Sequence, residues 1–194
     1  MPSIDKGAYH IANNQREYNP QRKNNFTLVI HDLEGLVRVG AEPNSTNAAD
    51  IIANAQEEII LSLKSSQTPG FSQDKIVIPR GNSEIKFAGK PKFKDIEIVV
   101  YDYIGSNAKD TLLAWQQLNY NSKYDYIGSA ASYKKNCTLY EYAPDGREVR
   151  HWDIRGAWAT EVNPDNFDYE DGGVATISAT LSMDWAELSL PDGE

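Results

Sequence analysis

The sequence of 194 residues has a single cysteine, three histidines, no excess of basic residues and no long apolar run. Each shortage excludes something. One cysteine, Cys137, permits neither an intrachain disulfide nor a cysteine zinc cluster. His10, His31 and His151 are dozens of residues apart, and none stands at metal-ligand spacing, so each reads as an ordinary polar or half-buried side chain. No stretch approaches the ~18 apolar residues of a spanning helix. The opening MPSIDKGAYHIANNQREYNPQRK has no apolar core to act as a signal peptide. The net charge of −9, with a pI near 4.8, argues against a reader of duplex DNA, whose footprint is a basic patch. The expectation is a soluble, acidic, intracellular protein with no membrane partner.

Chemistry-bearing motifs are scarce too. There is no GxSxG, no Walker sequence and no Gly-rich dinucleotide fingerprint. Asp168, Glu170 and Asp171 before Gly172 lack the alternating ligands and closing Glu of a calcium loop, and read as an acidic turn. With 28 Asp and Glu, any pair of carboxylates in acid–base register carries no information. Cys137 alternates with Leu139 and has no neighbouring base, which makes it a packed thiol rather than a nucleophile. Trp115, Trp152, Trp158 and Trp185 could line a sugar platform, but each falls on a periodic apolar face and reads first as packing. No enzyme, cofactor or metal site is expected.

What is present is β-pattern. The expected organisation is a polar arm over 1–24, one domain over 25–188 with loops at 40–55 and 119–133, and a tail over 189–194. NFTLVIH alternates Phe26, Leu28 and Ile30. Ser45 or Thr46 is placed to cap a short helix over 47–55. EEIILSLKSS, 57–66, reads as a strand with Ile59, Leu61 and Leu63 on one face, ended by Thr68-Pro69-Gly70. Two short strands follow around Gly81 and Asn82. KFKDIEIVVYDYI, 92–104, is the strongest strand, with Ile96, Ile98 and Val100 together. Ala108, Leu112 and Trp115 then take helical spacing after Ser106, giving one helix over 107–118. Three strands complete the chain: YKKNCTLYEYA, REVRHWDIRGAWATEV and GVATISATLSMDWAEL, the first two joined at APDG and the last preceded by a long turn over 163–173. The hexapeptide YDYIGS occurs at 101–106 and 124–129, but the flanks share nothing, so it is not a duplication.

The last strand is unusual. Ile177, Ala179, Leu181, Met183 and Trp185 alternate with Thr176, Ser178, Thr180, Ser182 and Asp184, and the second set is short, polar and free of Lys and Arg. Such a face suits either a plain solvated surface or a wall past which a cargo slides.

SEIKFAGKPKFKDIEIVVYD and YKKNCTLYEYAPDGREVRHWDIRGAWATEV resemble the tail-tube protein family of contractile-tailed bacteriophages, related to the tube proteins of type VI secretion and contractile injection systems. The resemblance covers about residues 57–187. It rests on ordered pieces: IPRGN ending at Asn82, AGK-x-x-F with Gly89 and Phe93, a helix with Trp115, Tyr133-Lys134-Lys135, RGAWATEV with Gly156 and Trp158, the FDYED turn and a final strand ending in MDW. It implies a mainly β (α+β) fold, a sandwich or barrel-like core with one flanking helix, whose strands join a ring-wide inner barrel. It also implies homo-hexameric rings stacked into a hollow tube inside a contractile sheath, started on a baseplate initiator, with tape-measure protein and genomic DNA in the lumen, in a virion tail assembled in the host cytoplasm. On this view the nine motif residues serve assembly, and Thr176, Ser178, Thr180, Ser182 and Asp184 face the lumen. The chain departs from the family pattern in the 40–55 insertion, the long arm and the ELSLPDGE extension. An initiator or baseplate member of the same family would share these motifs. A ligand-binding β module using Tyr and Trp is the reading from another class.

Overall fold

The computed structural model describes residues 20–42, 46–166, 168–170 and 172–191. In chain order the elements are β1 (Phe26–Ile30), α1 (Ala55–Ser62), β2 (Leu63–Ser66), β3 (Phe71–Arg80), β4 (Ser83–Phe93), β5 (Ile96–Tyr101), α2 (Ala108–Asn119), β6 (Tyr120–Asn121), β7 (Tyr126–Ile127), α3 (Ala130–Tyr133), β8 (Lys135–Tyr142), β9 (Glu148–Pro164), β10 (Thr176–Ser182) and β11 (Trp185–Ser189). The fold is mainly β and antiparallel, as expected. Strand β9, 17 residues long, organises it. Its first half lies between β8 and β11, and its second half pairs with β10. The path β1–β8–β9–β10–β5–β2 makes one sheet of seven strands with β11 attached to β9. The sheet curls until its end strands, β1 and β2, approach each other.

The curl encloses one core. Leu28 and Ile30 from β1, Ile96, Ile98 and Val100 from β5, Ile154 from β9, and Ile177 and Leu181 from β10 are all buried. Burying each such side chain is worth roughly 1.5–3 kcal/mol. Helix α2 closes one side against β9 and carries Leu112 and Trp115 into the core. Ser106 Oγ accepts the Ala108 N–H at 3.2 Å, so the expected capping residue acts one position ahead of Asn107, the helix's first flanking residue. Cys137 is buried among these residues, and its burial pushes the thiol up to about 12, as fits a packed group.

Several expectations are corrected. The flanking helix is not alone. Residues 57–62, the first part of the stretch read as a strand over 57–66, belong to α1, because Ala55, Ile59 and Ser62 point inward at intervals of four and three while Leu61 is exposed. Over seven residues the two periods competed, and only Leu63 onward is strand. No helix forms over 47–54; Ile52 instead anchors this stretch, its N–H bonded to Leu36 O at 2.8 Å. Ser45 lies outside the described residues. The 119–133 stretch contains the β6–β7 pair and the short turn α3. The expected last strand breaks at Met183-Asp184 into β10 and β11, and β11 runs through Ser189. The two YDYIGS copies adopt different conformations: Gly105 has φ +88°, while Gly128 sits against Leu118 O without a positive φ.

Candidate assembly surfaces

Strands β3 and β4 are the continuation of β2 and β5. The ladder pairs Ser66 with Ile98, passes through Gln67 N–H to Glu97 O at 2.9 Å and Lys94 N–H to Gly70 O at 2.9 Å, and reaches Phe71 opposite Phe93 and Gln73 opposite Pro91 in the same register. One two-stranded ribbon therefore runs out of the body. A bulge between Gln73 and Lys75 shifts the partners by one. Gly89 belongs to this bulge: a Cβ there would lie 2.6 Å from Asp74 O. The tip turns at Gly81-Asn82, where Gly81 has φ +61° and Ser83 Oγ donates to Arg80 O. At the root, the rings of Phe71 and Phe93 sit 5.8 Å apart.

Because side chains alternate in a strand, the register fixes which face each residue shares. Ile76 and Ile78, opposite Phe87 and Ile85, continue the face that carries Ile96 and Ile98 into the core. Beyond the body nothing among the described residues covers that face, and these four residues are 37–53 % exposed. A two-stranded ribbon with an uncovered apolar side is marginal by itself.

The second surface is the other side of the sheet. Thr176, Ser178, Thr180 and Ser182 share one face of β10, half-buried, while Ile177, Ala179 and Leu181 face the core. Thr180 lies between Glu97 of β5 and Glu161 of β9; Ser178 lies between Val99 and Asn163. Both glutamates are exposed. Trp158, opposite Ser182, borders this wall. Asp184 leaves it and lies beyond the end of β10. Two strand edges flank the wall. Among the described residues β2 pairs only with β5, and β9 beyond Ala157 has no strand on the side opposite β10.

The remaining motif residues meet at one corner. Gly156, with φ +65°, lets β9 bulge, and beside it β10 gives way to β11. A Cβ on Gly156 would lie 2.1 Å from Asp184 Oδ2. Asp184 accepts from Lys134 Nζ at 2.6 and 2.8 Å, and its N–H bonds Arg155 O. Lys135 pairs with Ala157, Tyr133 packs edge-on against Trp158 at 5.7 Å, and the Trp115 indole N–H donates to Tyr133 O at 2.7 Å. Both strands switch faces at this level. Ala157 and Ile154 are buried on either side of Gly156, and Ala186 rather than Trp185 faces inward in β11. This is why Trp185, expected on the apolar side, is exposed. The sequence places Asn82, Gly89 and Phe93 on the ribbon and gathers Trp115, Tyr133, Lys134, Lys135, Gly156, Trp158 and Asp184 at the corner.

Other groups are paired locally. His31 Nε2 lies 3.0 Å from Thr138 Oγ1, and His151 Nδ1 2.6 Å from Glu148 Oε1; His10 lies outside the described residues. No group of three or more His, Cys, Asp or Glu is placed to hold a metal among the described residues. The roughly 660 Å³ cavity, between β1 and β2, is floored by Phe26, Leu139 and Trp152 and rimmed by Lys64 and Arg150. The length of the ribbon and its exposed apolar side are what sequence reading missed. Its signal was the pairing of Ile76 and Ile78 with Ile85 and Phe87 across one tight turn.

No protein-family model matches this sequence, and no curated protein matches it. Solved structures do match in shape. A chain of the PVC sheath–tube complex in the extended state, from an extracellular contractile injection system, superposes with a TM-score of 0.62 at 16 % identity, covering 95 % of this chain and 99 % of that one. The anti-feeding prophage (AFP) tube-terminating cap gives 0.61 at 14 % identity over 89 % and 92 %. The six-fold symmetrised AFP baseplate gives 0.56 at 11 % identity over 87 % and 95 %. The chain thus shares the fold found in these contractile assemblies.

Proposed function

We propose that this protein is a structural subunit of the hollow tube of a contractile machine. Copies stand side by side around a bore, the free β2–β3 edge of one meeting the free β9 edge of the next. Contacts between two different surfaces close into a ring when the rotation divides a full turn, and here the closure is six-fold, in keeping with the symmetry of the AFP baseplate. The ring is the usual cure for exposed strand edges. The single observation that carries the reading is the ribbon: its apolar face continues the core face of the sheet and is covered by nothing among the described residues.

In the same reading the wall of Thr176, Ser178, Thr180 and Ser182 lines the bore, with Glu97 and Glu161 giving it negative charge. A nucleic acid then slides without the counterion release that a basic lining would use to hold it. In a phage tail this cargo is the genome, preceded by the tape-measure protein, and the outer partner is the sheath; in an injection device the cargo differs and the conduit is the same. Asp184 is not free for this wall, being held by Lys134. A second reading is favoured by the likeness to the AFP cap and baseplate: a ring that ends or begins the tube.

Negative-stain microscopy of concentrated protein tests both. Stacked rings are expected from a tube subunit and single rings from a terminal one. A protein that stays monomeric by light scattering at every concentration, with no rings on the grid, overturns the proposal.

A further inference from the structure

The charge of the chain is divided between the two margins of its sheet. Residues 71–94, the ribbon, hold six Lys or Arg against Asp74 and Glu84, a net charge of +4 in a chain of −9. After Arg155 the sequence contains no Lys or Arg at all and nine Asp or Glu. Of these, Glu161 lies in the second half of β9, and Asp165, Asp168 and Glu170 lie in the turn that follows. Each of these two margins has an edge without a strand partner among the described residues.

The charges are also unspent. On the ribbon only Lys92 is paired, with Asp74 at 2.7 Å; Lys75, Arg80, Lys86, Lys90 and Lys94 have no ion-pair partner among the described residues. On the other margin Glu161, Asp165, Asp168 and Glu170 are exposed and accept hydrogen bonds, if at all, only from backbone or neutral side chains. Surface charges left open in this way contribute little to a monomer but steer and orient an encounter between two molecules.

We propose that successive copies of this chain recognise one another by charge, the basic ribbon of one lying along the acidic β9 margin of the next. This rests on the ring reading above and adds the rule that selects the contact. The two surfaces differ in sign, so two ribbons repel, two β9 margins repel, and only the head-to-tail arrangement is attractive. Apolar cover for Ile76, Ile78, Ile85 and Phe87 then supplies affinity, while charge supplies direction. The same division makes assembly weaken as salt rises, because exposed pairs are screened.

The test uses two full-length variants, Lys86→Glu/Lys90→Glu on the ribbon and Glu161→Lys/Glu170→Lys on the margin. All four side chains are exposed, so folding is unaffected and circular dichroism checks it. At the substituted positions each variant alone sets like charges against each other and weakens the attraction between the margins, and its assembly midpoint, read by light scattering at low salt, is expected to rise at least about tenfold. Mixed one to one and alternating, the variants again set opposite charges against each other at the substituted positions, and rings return near the wild-type midpoint. Variants that assemble like wild type, or a mixture no better than its parts, overturn the charge rule while leaving the ring intact. Wild-type protein that never forms rings overturns the ring reading and this inference together.

Discussion

Ile98 and Ile78 lie on one continuous two-stranded ribbon and on the same face of it, yet Ile98 is 0 % exposed and Ile78 50 %. The chemistry of the two stretches is alike. What differs is the cover: β5 has β10 beside it and α1 above it, whereas among the described residues β3 and β4 have only each other as strand partners. Foldability and completeness are therefore separate properties here. The body meets its own needs, whereas the ribbon's apolar side is left uncovered by the described residues, and in the proposed ring a neighbouring copy covers it.

That contrast can be broken from the body outward. Gly156→Arg should have the largest effect, since a side chain must accept φ +65° and displace the Asp184 carboxylate. A loss above about 4 kcal/mol is expected, with the protein recovered insoluble; a soluble variant melting like the parent would show that the corner is not needed. Trp115→Ala comes next. It empties a fully buried site and strips Tyr133 O of its donor, so denaturant unfolding should report about 3–5 kcal/mol less stability. Ile78→Ser with Phe87→Ser sharpens the comparison at the other extreme. Both residues are half-exposed, so monomer stability should move by no more than about 0.5 kcal/mol while rings and tubes disappear from the grid. A drop in melting comparable to that of Trp115→Ala would mean the ribbon's apolar face already has its partner within the chain.

Much of the body is legible in the sequence. The alternation of Phe26, Leu28 and Ile30, of Ile96, Ile98 and Val100, and of Ile177, Ala179 and Leu181 reports a one-sided sheet, and burial follows it except at Phe26, which is only partly buried. The spacing of Ala108, Leu112 and Trp115 likewise yields α2. The failures have physical causes. Residues 57–63 satisfy both periods, and contact with β1 and α2 decides for helix. Trp185 breaks its own alternation because a bend at Asp184 turns the strand over, which a period counted along one strand cannot register. Asn82, Gly89 and Phe93 were picked out as assembly residues, and all three lie on the ribbon, but its uncovered apolar side depends on what lies beside it in space. Pairing partners, unlike propensities, are written in no single segment.

The corner at Gly156 has a further consequence. Because β9 turns over beside the point where β10 becomes β11, the lengths of these segments are locked to each other. Deleting one residue from β9 on either side of Gly156 would bring polar side chains against the hydrophobic interior unless the stretch between Ser182 and Trp185 were shortened to match. Descendants of this chain can vary their turns freely, but across this junction insertions and deletions are viable only as matched pairs.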